Sequence, residues 1–248
     1  MNVAEHEKFI ENKEKQARIV LIRHGMTQGN KEHRYVGTTD EGLLPESVEQ
    51  LHSMQEFWCK QVFMKDKTGV LCDREKSESV GKPAANPCDA CAKNVADNLT
   101  VYVSPYLRAK QTADILFPGA KQVEIAEFAE CRFGDFEYKN YAELNGNPDY
   151  QRFIDSGGTT AFPGGESRAE FTERVMRGFE KLLADVEESQ PYTIVVVAHG
   201  GTIMALLDQL SEPHKDYFDW QVKPGEGVAG ILSVNEDRNV VITNITRQ

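Results

Sequence analysis

The sequence predicts an α/β fold, a three-layer α/β/α sandwich around a mostly parallel sheet. Three short runs rich in Val, Ile and Tyr point to it: RIVLIR at 18–23, LTVYV at 99–103 and YTIVVVAH at 192–199. Their near-continuous apolar character is that of strands buried on both faces. Each is followed by a segment of helical character, the alternation that covers both faces of a parallel sheet. With 248 residues, 40% of them hydrophobic, the chain can build one sizeable core, and a single domain over 1–248 is the simplest reading.

Taken in order, MNVAEHEKFIENKEKQA is charged throughout and reads as a solvated helix or frayed tail, without the apolar centre of a signal peptide. RIVLIR is the first strand, and SVEQLHSMQEFWCKQVF the first long helix. The stretch at about 65–98 is rich in Lys, Glu, Ser, Pro and Asn, and reads as a partly disordered surface insertion. SPYLRAKQTADILF after the second strand places Ser104 as N-cap and Pro105 in the first turn of a helix. QVEIA at 122–126 is a possible fourth strand. After the turn signal FPGG, SRAEFTERVMRGFEKLLADVEE reads as a long amphipathic helix with Ser167 and Glu170 in capping-box spacing. GILSV and NVVITNI flank NEDR, an antiparallel hairpin at the sheet edge.

The formal net charge of -11 disfavours nucleic acid and anionic membranes as partners, so an anionic substrate needs a local cluster of cations. No segment approaches the roughly 20 apolar residues of a membrane span, and a cytoplasmic protein is expected. Five cysteines in such a chain are expected to be thiols. Cys88 and Cys91, with Cys72 and Cys59 upstream, raise a zinc site or a redox pair as alternatives to surface thiols. Only one close pair is present where a four-thiolate site has two.

In open parallel sheets, ligands bind beyond the carboxyl ends of the strands. The first strand delivers Arg23 and His24 ahead of Gly25, and the second leads to Arg108 on the first turns of its helix. The third delivers His199 before Gly200 and Gly201, and Glu130 follows QVEIA. Guanidinium forks match phosphate oxygens, and glycines beside both histidines let backbone N–H groups approach the same anion. A neutral imidazole there can attack phosphorus while the cations stabilise the transferring phosphoryl group. Blander readings are a strand-end Arg23–His24 pair met by carboxylates, a solvated Arg108 and a core imidazole at His199. Asp135 and Glu137 compete with Glu130 as the acid. A phosphate dianion beside that carboxyl favours its protonated form.

LIRHGMTQGN, SPYLRAKQTADIL, ECRFGDFEYKNYAEL, FPGGES and VVVAHGGTIMAL together resemble the histidine phosphatase superfamily, the phosphoglycerate mutase-like family, over roughly 18–235. The resemblance implies a phosphoglycerate mutase-like sandwich and metal-independent hydrolysis of a small phosphorylated metabolite, with no cofactor. It implies that His24 is the phosphorylated nucleophile and Glu130 the general acid and base. Arg23, Arg108 and His199 would form the phosphate pocket, with Asn30 and Gly200 contributing. DFEYKNYAELNG looks more like the phosphatase branch, including its α-ribazole phosphatase-like members, than like the glycolytic mutases. The chain departs from the pattern at FAE (128–130), which lacks the basic residue that often precedes the glutamate. Ser47 stands where a glycine is common, a change expected to affect only the helix start, and the insertion has no counterpart in compact members.

Tyr35, Trp220 and Gln221 stand near the first and last blocks, as pocket lining or as core. Phosphoglycerate mutase-type transfer is the nearest rival function, and a phosphate-binding pseudoenzyme built around the insertion the more distant one. Neither the particular phosphomonoester nor the oligomeric state is legible, because specificity lives in loops.

Overall fold

The computed structural model describes residues 16–63, 99–189, 193–235 and 239–248. The insertion at 65–98, with Cys72, Cys88 and Cys91, lies outside them. The described strands are β1 (Ala17–Arg23), β2 (Thr100–Val103), β3 (Lys121–Glu124), β4 (Thr193–Ala198), β5 (Gly227–Val234) and β6 (Val240–Arg247). The helices are α1 (Gln28–Lys31), α2 (Pro45–Phe63), α3 (Leu107–Leu116), α4 (Tyr141–Leu144), α5 (Pro148–Asp155), α6 (Arg168–Ser189) and α7 (Gly200–Leu210). No helix among the described residues is long and apolar enough to cross a membrane.

The six strands lie in the order β3-β2-β4-β1-β5-β6. β3, β2, β4 and β1 run parallel, and β5 and β6 are added antiparallel as the expected edge hairpin. Side chains alternate across each strand, which divides the core in two. Ile19, Leu21, Ile194 and Val196 pack with Phe171, Phe179 and Leu206 of α6 and α7 on one face. Val20, Ile22, Val195 and Val197 pack with Leu51, Trp58 and Leu116 of α2 and α3 on the other. Each such side chain, buried on folding, contributes about 1.5–3 kcal/mol as an upper estimate. Cys59 belongs to the second cluster.

Register turns this sheet into a platform. β4 is inserted between β1 and β2, with Arg23 opposite Ala198 and Val103 opposite Val197. The next residues continue the ladder, His24 N–H donating to Ala198 O and Ser104 N–H to Val197 O. His24, Ser104 and His199 therefore leave the sheet side by side.

Two local expectations are corrected. Ser104 is not the cap of α3: the helix starts at Leu107, its N-cap Tyr106 makes no side-chain cap bond, and Asp40 Oδ1 accepts from Leu107 N–H at 2.7 Å instead. Ser47 does more than begin α2, since its buried hydroxyl accepts from Met26 N–H at 2.7 Å and fixes the turn after His24. The expected capping box of α6 is present, with Ser167 Oγ accepting from Glu170 N–H and the Glu170 carboxylate accepting from Ser167 N–H.

Candidate active site

His24 ends the first parallel strand in a place with almost no freedom. A side chain on Gly25 would bring its Cβ to 2.6 Å from Ser47 Oγ and 2.8 Å from Leu51 Cδ1, so only glycine lets α2 approach this closely. Gly25 N–H donates to Thr112 Oγ1 at 3.0 Å, and His24 Nδ1 lies 2.7 Å from Gly25 O. A carbonyl only accepts, so Nδ1 carries the proton and Nε2 presents a bare lone pair. Burial, reinforced by the Arg108 and Arg23 charges, holds the imidazole well below its ordinary pKa, which keeps that lone pair available near neutrality.

His199 is fully buried, and its ring centroid lies 5.0 Å from that of His24. Its Nδ1 accepts from Arg108 Nε at 3.4 Å, which puts the neutral ring's proton on Nε2, 2.6 Å from Ser104 Oγ. Burial and the same arginines push its pKa down as well.

Arg108 has no exposed surface and is cradled by the loop after α1. Its amino groups donate to Thr39 O at 2.8 Å and Gly37 O at 3.1 Å. Glu137 shapes that loop by accepting from Gly37 N–H and from the N–H and hydroxyl of Thr39, which makes it a scaffold residue rather than an acid. The Arg108 fork has five N–H groups, more than its contacts with His199, Thr39, Gly37 and Val36 use. Arg23 donates through Nη1 to Val222 O at 2.8 Å, while its Nε is buried with no partner among the described residues. Such an orphan donor in a polar site calls for an anion.

Glu130 faces these cations from the loop after β3. Its Oε1 accepts from Cys131 N–H at 2.9 Å and its Oε2 from Gly201 N–H at 3.2 Å, at the positive end of α7. A Cβ on Gly201 would lie 2.2 Å from Oε1, so the glycine makes room for the carboxyl. Burial raises the Glu130 pKa; the two N–H groups and the two arginines oppose the rise without cancelling it. The loop is held by Arg174 of α6, which donates to Glu127 O, Ala129 O and Glu130 O. Arg174 also forks onto Glu166 at 2.8 Å through both Nε and Nη2, and Glu166 accepts from Arg132 N–H.

Arg23, Glu130, Gly200, Tyr35 and Gln221 line a cavity of about 1220 Å³. His24, His199 and Arg108 are buried and do not themselves line it. Asn30 lies in α1 with its Oδ1 buried and unpartnered among the described residues, and it too is absent from the cavity wall. Trp220 is corrected: it is core, 4% exposed, with Nε1 donating to Lys215 O. Its 3₁₀ turn (Tyr217–Trp220) reaches the cavity through Tyr217 and Phe218 instead. Ser104, Thr112, Ser47 and the Arg174–Glu166 pair support the site without having been read from the sequence. For the last pair the signal was two opposite charges eight residues apart at the start of an amphipathic helix, a spacing that surface pairs also show.

Known proteins resemble this chain in sequence and in fold. The chain is 26% identical over 196 residues to a Hydrogenobacter thermophilus protein provisionally named phosphoserine phosphatase 2, covering 77% of this chain and 76% of that one. It is 25% identical over 243 residues to the 2,3-bisphosphoglycerate-dependent phosphoglycerate mutase 2 of Latilactobacillus sakei, covering 91% and 97%. The fold superposes with a TM-score of 0.65 on a structure from Escherichia coli K-12 provisionally described as an α-ribazole-5'-P phosphatase, at 22% identity over 94% and 95% of the two chains. The family model of the histidine phosphatase superfamily (branch 1) matches residues 19–66 and 84–244, and the chain belongs to that superfamily.

Proposed function

We propose that the protein hydrolyses a phosphomonoester in two steps through a phosphohistidine on His24. The observation that carries this reading is the His24 ring: Nδ1 is tied to Gly25 O, and the opposite nitrogen is left unprotonated beside two buried guanidinium groups. Nε2 attacks phosphorus as the bond from phosphorus to the alcohol oxygen breaks, and protonated Glu130 gives its proton to that oxygen. Attack makes the imidazole cationic, and the 2.7 Å contact from Nδ1–H to Gly25 O stabilises the new charge. Glu130, now a carboxylate, takes a proton from water, whose oxygen bonds to phosphorus as the N–P bond breaks. Inorganic phosphate leaves and both groups return to their starting states. Arg23 and Arg108 balance the charge of the transferring group throughout, with neutral His199 packed beside them.

The raised pKa of Glu130 supports its role, because a group that is protonated at the start and ionised after the first step must titrate near the working pH. His24→Ala should abolish phosphate release measured in chelator, and a variant with near-normal release would overturn the mechanism. Glu130→Gln should harm alkyl phosphates more than p-nitrophenyl phosphate, whose leaving group needs less protonation, by about 10²-fold or more. Equal losses on the two esters would assign the acid elsewhere. Phosphoglycerate isomerised without net release would mark a mutase.

A further inference from the structure

The cavity beside Glu130 is larger and more apolar than a phosphoryl group requires. Its volume of about 1220 Å³ exceeds the roughly 300–1,000 Å³ of most small-molecule sites. Away from Arg23 and Glu130, the lining includes seven aromatic side chains. One wall is a chain of contacts with centroid distances of 5.1 Å for Tyr35–Phe133, 5.0 Å for Phe133–Phe162 and 4.4 Å for Phe162–Phe153. The other is Tyr217 and Phe218, 5.2 Å apart, with the Arg168 guanidinium 5.0 Å and 4.7 Å from their centroids.

The walls meet over Gly158. A Cβ there would lie 3.3 Å from Phe153 Cζ and Arg168 Nη2, and 3.5 Å from Phe218 Cζ. Phe218 and Ile154, also in the lining, remain 51% and 49% exposed, so apolar surface stands in water that a ligand could displace. The other lining cations make contacts of their own. Arg168 donates to Gly157 O, Arg247 to Gln221 O and Asp219 O, and Lys223 lies 4.0 Å from Glu226.

Building on the phosphomonoester reading above, we propose that the released alcohol carries a flat aromatic group, held between the Phe153–Phe162 wall and the Tyr217–Phe218 wall. A ring in that slot exchanges water for aromatic faces on both sides and meets the Arg168 guanidinium stacked on one of them. The test compares kcat/KM for 2-phenylethyl phosphate, propyl phosphate, O-phosphoserine and 3-phosphoglycerate. The first two are primary alkyl esters, so leaving-group acidity does not separate them. The aromatic ester should be favoured by about 10-fold or more over propyl phosphate, the equivalent of burying one aromatic side chain. That preference should shrink toward unity in Phe218→Ala, which removes a half-exposed side chain, with Tm measured alongside to show that the variant is folded.

Turnover that depends on His24 but shows no aromatic preference would overturn the slot and leave the phosphohistidine standing. If no ester turns over, calorimetric binding of 2-phenylethylphosphonate against propylphosphonate decides. Tighter binding of the aromatic ligand, lost in Phe218→Ala, would support the slot even as the hydrolytic reading falls, and equal affinities would overturn it.

Discussion

Replacing Ser104 by Ala removes the contact that orients His199, together with a longer one of 3.4 Å in which Oγ accepts from Tyr106 N–H. Ser104 is completely buried, with Oγ 2.6 Å from His199 Nε2, while the opposite ring nitrogen accepts from Arg108. Alanine would leave the Nε2 proton buried without an acceptor, at a cost of about 1–3 kcal/mol. For a chain of this length each kcal/mol lowers Tm by about 2–4 °C, so a fall of about 2–12 °C is expected by calorimetry. The ring would also be free to turn away from Arg108. If the same energy is lost from the transition state, kcat/KM on p-nitrophenyl phosphate falls by about 5- to 150-fold. An N-cap serine also contributes about 1 kcal/mol to stability but does not touch the rate. A variant with lower Tm and unchanged kcat/KM would therefore refute the orienting role, and one unchanged in both would refute the hydrogen bond itself.

Acid should unfold the protein through its buried histidines. His24 and His199 are both held well below the ordinary value of 6.5, so below that pH the unfolded chain binds protons that the folded one refuses. Stability should be full above about pH 6.5 and fall as pH drops, by up to about 1.4 kcal/mol per pH unit for each histidine, and a urea midpoint that stays level from pH 7 to 5 would contradict this. Arg174→Met should cost up to about 3–5 kcal/mol by leaving the 2% exposed Glu166 only its Arg132 contacts. Glu166→Gln in the same chain should recover part of that loss, as a double-mutant cycle in urea would show. Gly25→Ala forces Ser47 and Leu51 aside and should lower Tm, with a cost of about 1–3 kcal/mol, and an unchanged Tm by calorimetry would contradict the close approach of α2.

What could be read from the sequence was whatever one segment expresses by itself. RIVLIR and TIVVVA are apolar on both faces because each is covered by helices on both sides, and Ser167 with Glu170 closes its own capping box. The hairpin of β5 and β6 was legible from its short polar connection. Ser104 was misread because a serine ahead of Pro105 fits a local cap equally well, and its true partner lies 95 residues away. Asp40, which caps α3, is 67 residues from Leu107. Trp220 stood next to pocket residues in the sequence, but within the 3₁₀ turn Tyr217 and Phe218 reach the cavity while Trp220 is buried in the core. The residues proposed for the chemistry stand in short blocks that the sequence displays; the contacts that hold them were not legible, since each joins distant parts of the chain.

The place of β4 in the sheet also dictates when the site comes into being. β1 ends at Arg23 and β4 begins at Thr193, 170 positions later, and both neighbours of β1, β4 and β5, lie in the last quarter of the chain. During synthesis at about 5–20 residues per second, β1 emerges roughly 10–30 s before anything can pair with it. For that interval one of the most apolar stretches of the protein has two open edges, a natural client for a holding chaperone. His24 is translated early yet has no pocket until Ala198 and His199 arrive beside it. A nascent or truncated chain would carry the proposed nucleophile without its pocket, and phosphate release, if it occurs as proposed, would report that folding is complete.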